Sequence, residues 1–253
     1  MILVIDIGNS NIVFGVSDQD KWINIWRIQT DWMKTADEYE VIFRSLFTSS
    51  KVCRTDISKT ILSSVVPGLV RAFREMIENM LGHSPLLVEP SIYPSLPVSV
   101  LNPYEIGSDL VADATAAFIR YKGPCMVIDF GTAMTFTTVS KSGEILGVAI
   151  APGLQTALKS LTQNTAQLFN VQLEAPPSVL GKNTVHAIQS GIVLGFAGLV
   201  DSIIDRTEKE LGEKIRVIST GGLARIMLGC SEKITTLDEN LTLDGLRYIA
   251  EII

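Results

Sequence analysis

The feature that most constrains this chain is a short motif that occurs twice. Val4-Ile-Asp6-Ile-Gly8-Asn9 and Val127-Ile-Asp129-Phe-Gly131-Thr132 each join an apolar run to an aspartate, one apolar residue, a glycine and a polar residue. The two aspartates, at 6 and 129, lie 123 positions apart in a chain of 253. The segments just after the two motifs repeat as well. Apolar runs at 12–16 and 22–28 flank the charged turn Asp18-Gln19-Asp20-Lys21, and runs at 135–139 and 144–150 flank Lys141-Ser142-Gly143. Such runs, bounded by turn residues, read as strands joined in hairpins. Residues 35–47 place Tyr39, Ile42, Phe43, Leu46 and Phe47 on one helical stripe, with Thr35 as N-cap. A strand at 60–66 leads to Pro67-Gly68, and a helix at 69–81 stops at Gly82. Helices are predicted at 176–204 after Pro176-Pro177, with Thr184 opening an apolar helix there, and at 223–228 and 241–252, and a strand at 216–218. The prediction is an α/β fold of two similar domains, 1–117 and 118–253, facing one another across a cleft.

Composition narrows the function classes. Hydrophobic residues make up 47% of the chain, enough for a large core. The longest apolar stretch, 192–200, is broken by Gly195 and Gly198 and ends at Asp201, so a buried helix is expected rather than a membrane span. The start, Met-Ile-Leu-Val-Ile-Asp6, has neither a basic region nor a cleavage site. Cys53, Cys125 and Cys230 form no CxxC pair, and the only histidines are His83 and His186, which disfavours a structural zinc site. A cytoplasmic location without a membrane partner is expected. The net charge of −6, with scattered Lys and Arg, argues against a nucleic-acid surface. It leaves a nucleotide ligand open, because backbone N–H groups and a metal can hold phosphate.

Neither the P-loop nor the dinucleotide-binding glycine signature is present: Gly181-Lys182 runs into Asn183-Thr184 with Pro176 five residues before Gly181. Instead Asp6-Ile-Gly-Asn-Ser-Asn11 sits at a strand end, where Gly8 allows close backbone approach and Asn9, Ser10 and Asn11 offer donors. Asp6 could serve Mg²⁺ bridging phosphate oxygens; a plain hairpin turn is the alternative. Asp129-Phe-Gly-Thr132 repeats the pattern, and Ser219-Thr-Gly-Gly222 adds a small-residue turn suited to packing against adenosine. Gly107-Ser108-Asp109 opens a helix in which Asp109 is either a first-turn carboxylate favoured by the helix dipole or a base for an attacking hydroxyl.

Taken together, these motifs resemble the type III pantothenate kinases, members of the acetate kinase/hexokinase/actin superfamily. The resemblance covers essentially the whole chain. It rests on residues 6–11, Ser63-Ser-Val-Val-Pro67, Asn102-Pro-Tyr-Glu-Ile-Gly107, Asp129-Phe-Gly-Thr-Ala133, Ala151-Pro-Gly-Leu154, Thr165-Ala166 and Gly181-Lys-Asn-Thr184 leading to Ser190-Gly191. It implies two ribonuclease H-like, actin-type domains, each with a mixed five-stranded sheet. It also implies ATP-dependent phosphorylation of pantothenate at the first step of coenzyme A synthesis, in a homodimer. In that pattern Asp6, Ile7, Gly8, Asn9, Ser10, Asn11, Ile12 and Val13 form the ATP-phosphate loop, and Thr132 is a further ATP contact. Asp109 is the base. Asp6 serves Mg²⁺, and Asp129 binds a monovalent cation, K⁺ or NH₄⁺. Tyr104, Gly107, Ser108, Asp109, Leu110 and Thr184 surround pantothenate.

One departure falls on the substrate side. Leu110 stands where the family usually has an arginine expected to help hold the substrate carboxylate, and Asp113 stands where it usually has asparagine. A lost charge-assisted contact corresponds to about 1.5–3 kcal/mol. Three readings are open: a pantothenate kinase, with Lys182 as a substitute cation; an ATP-dependent kinase of another small alcohol; and a catalytically weak or regulatory nucleotide-binding relative. Trp22, Trp26 and Trp32 are expected in the core, and His186 at the surface or at a helix cap.

Overall fold

The computed structural model describes residues 1–50 and 52–253. They divide into two compact units, one of Met1–Ala116 with Leu241–Ile253 and the other of Ala117–Asn240.

The first unit begins with β1 (Ile2–Ile7), β2 (Asn11–Asp18) and β3 (Lys21–Gln29), then α1 (Ala36–Ser50), β4 (Lys59–Ser64), α2 (Pro67–Leu81), β5 (Leu86–Leu87) and α3 (Ser108–Tyr121). Its sheet has the order β3-β2-β1-β4-β5, with β1 antiparallel to β2 and parallel to β4. Along β1, Leu3, Ile5 and Ile7 face α1 and α2 and join Phe14, Tyr39, Phe43, Phe47 and Phe73 in one core. Aromatic rings dominate it; Phe14 stacks on Phe43 at 4.0 Å between centroids. The α1 start is a capping box: the Glu38 amide donates to Thr35 Oγ1 (3.4 Å) while the Thr35 amide donates to Glu38 Oε2 (2.8 Å). Pro67 occupies the first turn of α2, and Gly82 closes it at φ 77°.

The second unit holds β6 (Cys125–Phe130), β7 (Ala133–Val139), β8 (Ile145–Pro152), α4 (Leu154–Gln163), α5 (Thr184–Gln189), α6 (Gly195–Leu211), β9 (Arg216–Thr220), α7 (Ala224–Leu228) and β10 (Thr236–Leu237). Its sheet repeats the first strand for strand, β8-β7-β6-β9-β10. The register irregularity also repeats, at Val16/Ser17 in the first hairpin pair and at Thr138/Val139 in the second. Its core is aliphatic and methionine-rich, with Met126, Ile128, Met134, Val193 and Met227 around Phe136. A π-helical turn, Ser190–Leu194, joins α5 to α6. The resulting helix Thr184–Leu211 is long and apolar enough to cross a membrane by length and composition alone, but it packs Val193, Ala197, Val200 and Ile204 into the core. Residues 176–183, predicted helical, contain no helix; the apolar helix opens at Thr184 as expected, where the Asn183 side chain caps it, accepting from the His186 amide at 2.8 Å.

The last helix, α8 (Leu241–Ile252), packs against β1 and β4 of the first unit, not within the half in which the sequence places it. Trp22 Nε1 donates to Asp244 Oδ1 (3.0 Å), Lys59 Nζ to the Ala250 carbonyl (2.6 Å), and Arg247 pairs with Asp20 (2.9 Å). Gly245 lies so close to α3 that a Cβ would collide with the Ala112 carbonyl. Trp26 packs on Phe14 as expected. Trp32 does not join the core: it lies beyond the end of β3 and is 63% exposed.

Candidate functional site

β1 ends at Ile7 and β2 begins at Asn11, leaving Gly8, Asn9 and Ser10 to turn the chain. The Gly8 amide donates to the Asn11 carbonyl at 3.0 Å, and Thr30 ties the turn from outside through its amide to Ser10 O (3.1 Å) and its hydroxyl to Gly8 O (2.6 Å). Asn9, Ser10 and Asn11 are exposed; Ile7 and Ile12 are wholly buried, so those two offer a ligand only their backbone. Asp6 pairs across the ladder with Val13 and with Ser63. The buried Ser63 hydroxyl donates to Asp6 Oδ1 at 2.9 Å.

Ser63 also links this strand end to α3. Its Oγ lies 2.9 Å from Ser108 Oγ, and the Ser64 amide donates to the same Ser108 oxygen at 3.2 Å. The next residue is Asp109, whose Oδ1 accepts the Leu110 amide at 2.9 Å. The carboxylate folds back over Gly107, where a Cβ would collide with Asp109 Oδ1. A side chain at 107 would therefore push the Asp109 carboxylate out of this position. Burial raises the Asp109 carboxyl above the usual aspartate value, against the lowering effect of the backbone N–H groups it accepts. Tyr93, 5% exposed, is pushed up to about 12 by burial first and then by the charges of Asp109 and Glu89. Tyr104 is 90% exposed, whereas Leu110 is buried at 7%. Asp113, which the sequence places on the substrate side, is buried under α8. It is 1% exposed and accepts the Thr242 hydroxyl of α8 at 2.7 Å.

In the second unit the corresponding turn is one residue shorter, Gly131 and Thr132 only. The exposed Thr132 has its carbonyl held by the Gly153 amide (3.0 Å) and by Thr156 Oγ1 (2.6 Å). Asp129 pairs with Thr135 and Thr220 in the ladder. Gly221, at φ 90°, lies against it, where a Cβ would collide with Asp129 Oδ1. That close approach accounts for this glycine of the Ser219–Gly222 turn without any adenosine. Thr135 Oγ1 is buried and has no hydrogen-bond partner among the described residues. Elsewhere in this unit, Lys182, Asn183, Thr184, Leu161 and Ile188 line an open cavity of about 610 Å³. His186, expected as a surface or cap residue, sits at this helix start with Nδ1 3.3 Å from Asn183 Nδ2.

Among the described residues no three His, Cys, Asp or Glu side chains converge as a metal cage. A single carboxylate at a strand end suits Mg²⁺, which keeps several waters and is commonly bound by one or two carboxylates plus substrate phosphates. The structure thus ties Asp6 to the Asp109 segment by a continuous set of hydrogen bonds. Neither Ser63 nor Tyr93 carries a role assigned from sequence. Ser63 is legible there only as part of a motif, because its pairing with Asp6 requires the parallel β1–β4 register. Tyr93 has no local signal.

A family model described as type III pantothenate kinase matches residues 2–206. A type III pantothenate kinase of Citrifermentans bemidjiense is 43% identical over 249 residues, covering 98% of each chain. Among solved structures, MreB 5 of Spiroplasma citri bound to AMPPNP superposes with a TM-score of 0.57 at 12% identity, over 99% of this chain and 96% of that one. The activator of 2-hydroxyisocaproyl-CoA dehydratase from Clostridium difficile, with bound ADPNP, gives 0.56 at 14%, over 99% and 95%. These two likenesses bear out the actin-type fold.

Proposed function

Because this chain belongs to the type III pantothenate kinase family, we infer that its Asp109 takes the hydroxyl proton when pantothenate is phosphorylated by ATP. The protein is an ATP-dependent kinase of coenzyme A biosynthesis. The observation that carries the assignment of the base is the desolvated Asp109 carboxylate, folded onto Gly107 and tied through Ser108 and Ser63 to Asp6.

ATP with Mg²⁺ supplies the phosphoryl group and neutralises the charge on its oxygens. The chain positions both reactants. Asp6 serves the metal, directly or through water, and the turn formed by Gly8, Asn9, Ser10 and Asn11 cradles phosphate with backbone and side-chain donors. Ile7, Ile12 and Val13 back that turn, and Thr132 is a further nucleotide contact. Two nucleotide-analogue complexes with this fold support the reading. Asp109 accepts the proton at its carboxylate; a pKa raised by burial makes it a better acceptor while it is ionised. Tyr93 stays neutral beside it. Asp129 takes a monovalent cation, K⁺ or NH₄⁺, and the unpartnered Thr135 hydroxyl across the ladder fits a second oxygen ligand.

On the acceptor side, Tyr104, Gly107, Ser108, Leu110 and Thr184 contact pantothenate. Leu110 offers only apolar surface to the substrate carboxylate. A cytoplasmic homodimer completes the proposal. It is tested by ADP release with ATP, Mg²⁺ and K⁺, with and without pantothenate, for the wild type and Asp109→Asn. Pantothenate-dependent turnover that collapses in the variant supports the base. Undiminished turnover in the variant overturns it.

A further inference from the structure

The hydrogen bonds between Asp6 and α3 have a direction. Ser63 has one hydroxyl proton and donates it to Asp6 Oδ1 (2.9 Å), so the 2.9 Å contact between the serines is filled when Ser108 donates to Ser63 Oγ, which is nearer to it than its other acceptor, the Ser64 carbonyl at 3.4 Å. Ser108 Oγ in turn accepts the Ser64 amide at 3.2 Å. The sequence of donors runs from the β4 backbone through Ser108 and Ser63 to the Asp6 carboxylate, every dipole pointing the same way. Such chains polarise one another and act as units. Ser63 is fully buried and Ser108 is 7% exposed, so water does not compete for these bonds. Ser108 is the first residue of α3 and directly precedes Asp109.

We propose that Ser63 and Ser108 form a hydroxyl relay that sets Asp6 and the N-terminal turn of α3 as one rigid piece. The metal–phosphate side and the acceptor side of the reaction then share a single positioning contact. This rests on the assignment of Asp6 to the metal and Asp109 to the acceptor. Ser63 is a positioning residue, since it needs to touch no reacting atom, and Ser108 enters the relay through its hydroxyl, apart from its contact with pantothenate. The duplicated fold supplies a natural control: the ladder position opposite Asp129 that corresponds to Ser63 is Thr220, a second hydroxyl residue.

The test uses the intact protein and Mg²⁺·AMPPNP as probe. In the wild type, adding the probe should slow amide hydrogen exchange over residues 108–112, away from the phosphate turn itself. Ser63→Ala should abolish that slowing and weaken probe binding about tenfold or more, the loss of a hydrogen bond to a charged group. Ser108→Ala should lower pantothenate-dependent kcat by a similar factor, and Ser63→Ala/Ser108→Ala should be no worse than the poorer single variant. Ser63→Thr should restore both binding and exchange coupling. Additive losses, or a lowered melting temperature with exchange coupling intact, would overturn the relay. Binding and exchange are read without pantothenate, so a wild type that phosphorylates no pantothenate would sink the proposed reaction and leave the relay still decided.

Discussion

The two units share strand order, a register irregularity at the same place in the hairpins, and an aspartate at the end of the central strand, yet they differ where chemistry is expected. In the first, the aspartate is hydrogen-bonded to a serine that reaches a helix carrying a second carboxylate. In the second, the aspartate is pressed against a left-handed glycine, and its ladder partner Thr135 has a buried hydroxyl without a partner among the described residues. The turns differ too: Gly8, Asn9 and Ser10 present three residues, Gly131 and Thr132 only two. The cores diverge as well, stacked aromatic rings in one and aliphatic and methionine side chains in the other. A duplicated scaffold thus preserves where the strand ends lie while leaving free what is placed on them. The proposed function places proton transfer on the first copy and cation binding on the second.

The largest expected effect tests that division. Asp109→Asn should lower kcat about 10³-fold, the middle of the range for a lost general base. It should also raise the melting temperature at neutral pH. The Asp109 pKa in the folded protein lies above the 3.8 of a free aspartate, so between those two values stability falls as pH rises, and above both the ionised carboxylate is a constant cost. For the same reason kcat/KM should fall on the acid side with a midpoint above 3.8. Asp129→Asn should instead raise the K⁺ concentration needed for half-maximal rate while leaving turnover at saturating K⁺ measurable. Equal, unrescuable losses in both variants would break the comparison.

Next come the two cores. Phe43→Ala should destabilise by about 3–5 kcal/mol. Phe136→Ala should cost roughly 1 kcal/mol less, because it gives up no ring–ring contacts among the described residues, whereas Phe43 gives up three. Urea titration of each variant would read the difference. The two glycines separate position from strain. Gly107→Ala should cost about tenfold or more in kcat by displacing the Asp109 carboxylate, as a misplaced catalytic group does, with a small change in melting temperature. Gly221→Ala adds a strained left-handed backbone of about 1–2 kcal/mol and a collision with the Phe130 backbone as well as with Asp129 Oδ1, so its melting temperature should fall by more than the roughly 2–8 °C of the strain alone. The smallest effect belongs to Asp20→Asn, which removes an exposed partner from Arg247 and should change stability by less than about 1 kcal/mol.

The sequence makes the duplicated strands legible because Asp-x-Gly after an apolar run, leading into a hairpin, is a local signal carried by neighbouring residues. The candidate site is legible to the same extent: Asp6, Asp109 and Asp129 lie at element ends marked by Gly8, Gly107 and Gly131. What stays hidden depends on pairing between distant segments. Ser63 meets Asp6 only through parallel register, Tyr93 reaches Asp109 only through the fold, and Asp113 is buried where Thr242 of the distant α8 meets it. Trp32 misleads because hydrophobicity alone does not tell a strand position from the loop just beyond it.

The return of α8 to the first sheet has a consequence for how the molecule comes into being. Beside α3, which holds the Ser63 end, the face of β1 and β4 is covered by a helix that leaves the ribosome only after the entire second unit. At about 5–20 residues per second of synthesis, that face waits on the order of ten seconds without its cover. During that interval the nascent first unit is a sheet with one finished side. It would be a client for chaperones and a target for proteases until translation delivers the missing helix.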